Sequence, residues 1–250
     1  KKVVQAKWST PDSKWFLTIE DKATGAQHIQ SCKFLHSCAG YYNYDHGYQP
    51  DFPGADNFKG EIVHPQFWPE GLDYKGKKVV VIGSGATAVT LVPAMARDAA
   101  DVKMLQRSPT YIVARPAEDG FANFTRKFLP AMMAYGLTRW KNVLMGRFFF
   151  WMCRKYPDAV KKRLLDELPE LLPEGFDIEK HLTPKYNPWD QRVCLAPDGD
   201  FFTSIRKGKA DIVTDHIERF TETGIELKSG ETLEADVVVS ATGLDLNFLG

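Results

Sequence analysis

The sequence predicts an α/β fold: a doubly wound parallel sheet with a helical insertion, flanked by β-rich pieces of a second domain. Three observations carry that prediction. "KKVVVIGSGATAVTLVPAMARDAADVKMLQRS" holds an apolar strand, a glycine-rich turn, a helix and a second strand in order, the pattern of a βαβ unit. The first forty residues alternate apolar and polar types between turn signals, as antiparallel strands do. From Phe121 to about Leu172 the pattern is helical and rich in aromatic and basic residues.

Taken in order, residues 1–40 predict three or four antiparallel strands, with turns at Thr10–Ser13 and Ala23–Gly25 and a last strand in "CKFLHSCAG". A polar, aromatic loop follows from Tyr41 to Asp56, then the segment "FKGEIVHPQFWPE" from Phe58 to Glu70. Lys78–Ile82 is nearly continuously apolar, as expected of a parallel strand buried on both faces. The helix is predicted over Ala86–Ala99 and the second strand over Asp101–Arg107. Pro173–Asp200 is dense in proline and glycine and predicts a loop. "FFTSIRKG" predicts a short helix, and the remainder predicts strands with a turn at Lys228–Gly230. "FLHSCAG" (Phe34–Gly40) and "VVVSATG" (Val237–Gly243) look alike and bracket the βαβ unit. That layout suggests a nucleotide domain inserted into a host domain. The expected boundaries are host strands at 1–55, a linker at 56–76, the nucleotide-binding domain at 77–235 with its helical insertion at about 120–175, and a return strand at 236–250.

Bulk properties narrow the function. The 250 residues carry 32 basic and 32 acidic side chains, a formal net charge of +0. That balance gives no electrostatic argument for nucleic acid as a partner. The four cysteines, Cys32, Cys38, Cys153 and Cys194, match no metal-site spacing and predict reduced thiols in a cytoplasmic protein without a metal. No run of 18 apolar residues suggests a transmembrane segment; "VLMGRFFFWMC" is short and broken by Arg147. Peripheral membrane association stays open. The chain opens without a Met and stops straight after a strand-like run, so a piece of a longer protein is expected.

The glycine-rich turn is the first candidate site. Gly83, Ser84, Gly85, Ala86, Thr87 and Ala88 form G-x-G-x-x-A directly after a strand and opening a helix. Gly83 permits the tight turn, Gly85 lets the backbone approach a pyrophosphate, and Ala88 allows close helix–strand packing. The helix N-terminus then offers unpaired N–H groups to phosphates. A ligand-free α/β domain could carry a similar turn, but strand, turn, helix and strand in order favour a Rossmann-like dinucleotide site. The second strand ends Gln106, Arg107, Ser108. It lacks the carboxylate that would bond a ribose 2′-hydroxyl, and Arg107 supplies a fork suited to a 2′-phosphate with Ser108 beside it. NADP(H) is therefore favoured over NAD(H). The competing reading of Arg107 is a solvated surface arginine.

The segment from Phe58 to Pro69 also carries a resemblance. Phe58, Gly60, His64 and Trp68, followed by Pro69, fit the F-x-G-x-x-x-H-x-x-x-W fingerprint of the Baeyer–Villiger flavin monooxygenases. The closing Ala241, Thr242 and Gly243 resemble the A-T-G motif of the wider flavin monooxygenase group. The likeness extends over essentially the whole chain and is closest to a mycobacterial, thioamide-activating branch. It implies FAD together with NADPH, and O2 as co-substrate. A flavin peroxide would convert a ketone to an ester or oxygenate a thiocarbonyl compound. The resemblance makes Arg192 the cation beside that peroxide and places Gln191 where many relatives have a lysine for the 2′-phosphate, which leaves more of that contact to Arg107 and Ser108. Without the resemblance, Arg192 would be read as a loop arginine paired with Asp190 or Asp198. The family's fingerprint lies in a linker, so His64 and Trp68 are expected to couple conformations rather than relay protons. The family opens with a separate glycine-rich motif for FAD, and this chain has only one such motif. The chain is thus expected to hold NADPH and pieces of an incomplete FAD domain. A stand-alone NADP(H)-binding module and an N-hydroxylating flavin monooxygenase are the alternatives.

Overall fold

The computed structural model describes residues 1–247. It divides into two units, residues 1–46 with those from Leu244 onward, and Gly47–Gly243.

The first unit is a three-stranded antiparallel sheet, β1 (Lys2–Ser9), β2 (Lys14–Glu20) and β3 (Gln27–Cys32), in that order. Trp8 and Trp15 sit opposite each other across the first hairpin, edge to face at 5.5 Å. Residues 34–40 form no strand, contrary to the expectation for "FLHSCAG", and Phe34 is exposed. The physical reason is a lack of partners: an extended segment needs a neighbour for its backbone groups, and none of the described strands pairs with it. Instead Tyr42 bridges to Leu246, and Asn43 N–H donates to Asp245 O at 2.8 Å.

The second unit contains ten strands among the described residues. They are β4 (Glu61–Val63), β5 (Lys78–Ile82), β6 (Asp101–Gln106), β7 (Tyr111–Arg115), β8 (Val193–Pro197), β9 (Ala210–Thr214), β10 (Ile217–Thr221), β11 (Gly224–Leu227), β12 (Thr232–Glu234) and β13 (Val237–Ser240). Its α-helices are α1 (Ala86–Met95), α2 (Gly120–Phe128), α3 (Ala131–Lys155), α4 (Pro157–Asp166), α5 (Ile178–Leu182) and α6 (Asp200–Arg206). The central sheet is parallel throughout, in the order β4-β13-β5-β6-β9.

Alternation along β5 sorts its side chains between two cores. Val79 and Val81 pack with Ala88, Val89 and Val92 of α1 and with Phe201, Phe202 and Ile205 of α6. Val80 and Ile82 face Phe220, Ile225, Leu227 and Leu233, from the antiparallel sheet β10-β11-β12. Helices thus cover one face and a small β layer covers the other, where a doubly wound arrangement would place helices. The period-2 patterning of residues 217–234 is the sequence counterpart of that layer.

The expected boundary before residue 236 moves. Strand β13 is not a return strand of the flanking domain. It pairs with β4 on one side and β5 on the other, with Val237, Val238 and Val239 buried. A continuous β-branched run buried on both faces belongs in the middle of a parallel sheet. Residues 244–247 fall in the first unit, and 248–250 lie outside the described residues. The linker expected at 56–76 likewise contributes the edge strand β4. The segment expected to be a loop at 173–200 contains α5 and β8, and β8 pairs in parallel with β7. Helices α2, α3 and α4 fill the predicted helical insertion, with Tyr111 and Val113 of β7 packed on Cys153, Val160 and Leu164. All four cysteines are free thiols.

Candidate functional site

A cleft of about 860 Å³ opens at the carboxyl ends of the parallel strands. Gly83, Ser84 and Gly85 follow β5, Arg107 and Ser108 follow β6, Asp215 and His216 follow β9, and Ala241, Thr242 and Gly243 follow β13; all line this cleft. Open α/β sheets bind ligands at that end. Gln191 and Arg192, just before β8, line the cleft as well.

The glycine turn is shaped by what lies over it. Gly83 has φ +127°, and a Cβ there would collide with the backbone oxygen of Ala241. The Ala-Thr-Gly segment therefore crosses directly over the turn. A Cβ on Gly85 would stand 2.6 Å from Arg192 Nη1. Helix α1 begins at Gly85 with no side-chain cap and no acidic residue in its first turn. Ala86 and Thr87 are exposed in that turn, while Ala88 is buried against the sheet. An uncapped N-terminus over glycines without side chains leaves free N–H groups and space, and that combination fits a pyrophosphate. Ser84 Oγ donates to Ser108 O at 3.3 Å and ties the turn to the loop carrying Arg107. Thr242 Oγ1 donates to Tyr48 O at 2.7 Å and lies 3.0 Å from Ser240 Oγ, which anchors the crossing segment.

Arg192 makes no ion pair with either of the two anticipated carboxylates. Asp190 pairs with Arg154, and Asp198 Oδ1 accepts from Ala117 N–H. The backbone of Arg192 is held by Tyr186, whose hydroxyl donates to Arg192 O at 3.4 Å. Tyr186 is in turn fixed by Thr110 at 2.9 Å and by Tyr111, whose hydroxyl donates to Tyr186 O at 2.7 Å. Burial pushes the Tyr111 hydroxyl up to about 12, so it stays protonated and remains a donor. The backbone at Arg192 is thereby held, and its side chain reaches over Gly85 at the edge of the cleft.

The fingerprint residues do not line the cleft. Phe58 is buried edge-to-face on Phe220 at 5.9 Å. Gly60 lies against the backbone oxygen of Asp236 and the Phe58 ring, where a Cβ would not fit. His64 uses both ring nitrogens: Nδ1 accepts from Gln66 N–H at 3.2 Å, so Nε2 carries the hydrogen and donates to Gly243 O at 3.0 Å. Trp68 closes a turn of 3₁₀ helix at Pro65–Phe67 and is partly exposed. The segment thus touches the cleft through one bond, from His64 to the end of the Ala-Thr-Gly run.

Sequence reading missed one wall of the cleft. Asp215, His216 and Lys228 line it. Asp215 accepts from Ser229 N–H at 3.1 Å and from His216 N–H at 2.6 Å, and hydrogen bonding to Ser229 holds its carboxyl below the usual range. That bond pins the β11–β12 turn, and with it Lys228, to the end of β9. Gln106 is buried with its Nε2 donating to His181 O and Thr214 Oγ1, at 2.7 and 2.9 Å, and its Oε1 has no partner. Thr214 lies 2.8 Å from His181 Nδ1, and burial holds the His181 ring toward its neutral form. The available signal was "IVTDH", a third apolar run ending in polar residues as "MLQRS" does.

Comparison with known proteins decides the family. Residues 10–249 match the model of the flavin-binding monooxygenase-like proteins. The chain belongs to the flavin-binding monooxygenase-like family. It is 53% identical over all 250 residues to the FAD-containing monooxygenase EthA of Mycolicibacterium smegmatis, covering 50% of that protein. It is also 53% identical to the probable FAD-binding monooxygenase AlmA of Acinetobacter baylyi, again over 50% of its length. The chain thus spans about half the length of these family members. Among solved structures, an oxidized steroid monooxygenase bound to NADP superposes with a TM-score of 0.75 at 23% identity, over 98% of this chain and 52% of that one. An open structure of cyclohexanone monooxygenase gives 0.74 at 22% identity, over 98% and 54%. The family fold is therefore shared well beyond the reach of sequence identity.

Proposed function

We propose that this chain is the NADP(H)-binding part of an FAD- and NADPH-dependent monooxygenase of the Baeyer–Villiger type, acting in the cytoplasm on a ketone or thiocarbonyl compound with O2. The observation that carries this reading is the meeting, at the strand ends, of an uncapped helix, a glycine turn without side chains and the Arg107 loop. Gly83–Thr87 would hold the pyrophosphate through backbone N–H groups. Arg107 and Ser108 would hold the 2′-phosphate, with Lys228 on the facing wall. Gln191 and the Ala241–Gly243 segment would complete the cradle. FAD, when bound, would supply the oxygen chemistry. Arg192 contributes a positive charge in a cleft where its guanidinium has no carboxylate partner among the described residues. The Phe58–Trp68 segment would couple the cradle to the flanking domain through His64 and Gly243.

A second reading, a stand-alone NADP(H)-binding module, is favoured by one observation: the whole cleft is built within Gly47–Gly243. Both readings require the same cofactor specificity, tested by calorimetric titration of NADP+ and NAD+. Arg107→Ala should weaken NADP+ at least about tenfold, roughly 1.4 kcal/mol, and leave NAD+ nearly unchanged. Equal losses would remove Arg107 from the 2′-phosphate, and a wild-type chain that binds neither nucleotide would remove the dinucleotide site.

A further inference from the structure

The helical insertion presents a surface that the cleft does not use. Between Asp119 and Asp158 the sequence has seven Lys and Arg and not one Asp or Glu, in a chain of net charge +0. The same stretch exposes apolar side chains. On α2, Phe121, Phe124 and Phe128 recur at i, i+3 and i+7, one stripe of a helix. That stripe faces outward, with Phe124 62% and Phe128 71% exposed, while Ala122 and Thr125 beside it on the helix are buried. The Phe124 and Phe128 rings lie 5.1 Å apart. Met132, just past the corner at the start of α3, is 77% exposed. Helix α3 continues the surface: of its 25 residues only Ala134 and Cys153 are buried, and Trp140 and Phe148 stand out in solvent.

Single exposed apolar residues need no explanation, but a contiguous field of them marks a binding surface. The charge says what kind. Lys141 and Arg154 are taken by Asp119 and Asp190. Arg126 and Lys127, on the polar side of α2, have no carboxylate partner among the described residues. A second copy docked face to face would set like charges against each other. An apolar stripe flanked by unpaired cations matches an acyl boundary beneath anionic headgroups. None of the described helices is long and apolar enough to cross a membrane.

We infer that the α2–α3 corner docks on the surface of an anionic phospholipid membrane. Phe124, Phe128 and Met132 enter below the headgroups, and Arg126 and Lys127 meet the phosphates. This places the protein where apolar substrates concentrate, and it is independent of how the cleft is read.

The test is co-sedimentation of the full-length protein with vesicles of phosphatidylcholine alone and of phosphatidylcholine mixed with phosphatidylglycerol. Binding to the mixed vesicles, weakened by added salt, is expected. The triple variant Phe124→Ser, Phe128→Ser, Met132→Ser should lose at least about tenfold in partitioning with NADP+ affinity unchanged. Arg126→Gln with Lys127→Gln, which spares the apolar groups, should lose the preference for the anionic vesicles. The inference is overturned by an absence of binding to the mixed vesicles, or by variants that bind as the wild type does. It is equally overturned if hydroxyl-radical footprinting finds the Phe124, Phe128 and Met132 side chains already shielded in vesicle-free protein, because another part of the chain or a second copy then covers the face.

Discussion

Gly83 and Gly85 are equivalent letters in a motif, yet the structure gives them different burdens. At Gly83 the backbone is left-handed, at φ +127°, and the missing Cβ makes way for the backbone oxygen of Ala241. Neither constraint can relax without moving β13. At Gly85 the space is taken by the end of a flexible arginine, Arg192. Gly83→Ala should therefore cost about 1–3 kcal/mol of stability, a fall in melting temperature of several degrees, together with NADP+ affinity. Gly85→Ala should melt within about a degree of the wild type, since a surface side chain can move aside, while NADP+ binding weakens. Thermal melts paired with NADP+ titrations separate the two; equal losses of stability would contradict the difference. The motif itself was readable from spacing. The partner of His64 was not, because Gly243 lies 179 residues away along the chain and only the fold brings them together.

At the scale of elements, sequence patterning succeeded where one segment decides its own state. Strand β5, helix α1, strand β6 and the insertion helices follow local periodicity, and Asp119 marks the start of α2 as an N-cap, accepting from Phe121 N–H at 3.0 Å and Ala122 N–H at 3.2 Å. Patterning failed where a neighbour decides. Residues 34–40 look like a strand and have no partner, whereas Val193–Pro197 sits in a proline-rich stretch and becomes β8 because β7 offers an edge. Asp119 also ties two elements together, since Lys141 Nζ of α3 donates to its carboxylate at 2.6 Å and Asn142 Nδ2 at 3.2 Å. The Lys141 hydrogen bond, with the cap at Ala122, holds the Asp119 carboxyl at about 2. Its folded value is depressed below the unfolded value of about 3.9. The stabilisation is therefore present above pH 4 and is lost as pH falls toward 2. Amide exchange of Phe121 and Ala122, followed across that window, should accelerate as the cap is protonated. In Asp119→Asn the same amides should exchange with little pH dependence beyond the intrinsic rate. An unchanged wild-type profile would remove the carboxylate from the helix start.

Over the whole molecule, the cleft draws on residues scattered from Tyr48 to Gly243: the carboxyl ends of β5, β6, β9 and β13, the segment Tyr48–Pro53 and the loop before β8. The strand-turn-helix order therefore located one wall from sequence, and topology supplied the other at Asp215, His216 and Lys228. Arg192 stands where these walls meet the glycine turn. Its position follows from long-range packing, through Tyr186, Thr110 and Tyr111, and the two nearby carboxylates that could have neutralised it are engaged elsewhere. On the proposed function, a cation left without a carboxylate partner there would serve charge that develops during reaction. In the full-length protein, Arg192→Ala should accordingly leave NADPH consumption running while product formed per NADPH falls by on the order of tenfold or more. NADP+ affinity should change by less than that ratio. Product measured against NADPH absorbance decides the matter. A ratio equal to that of the wild type would show that Arg192 takes no part in oxygenation, and a loss confined to NADP+ affinity would assign it to the pyrophosphate cradle beside Gly85.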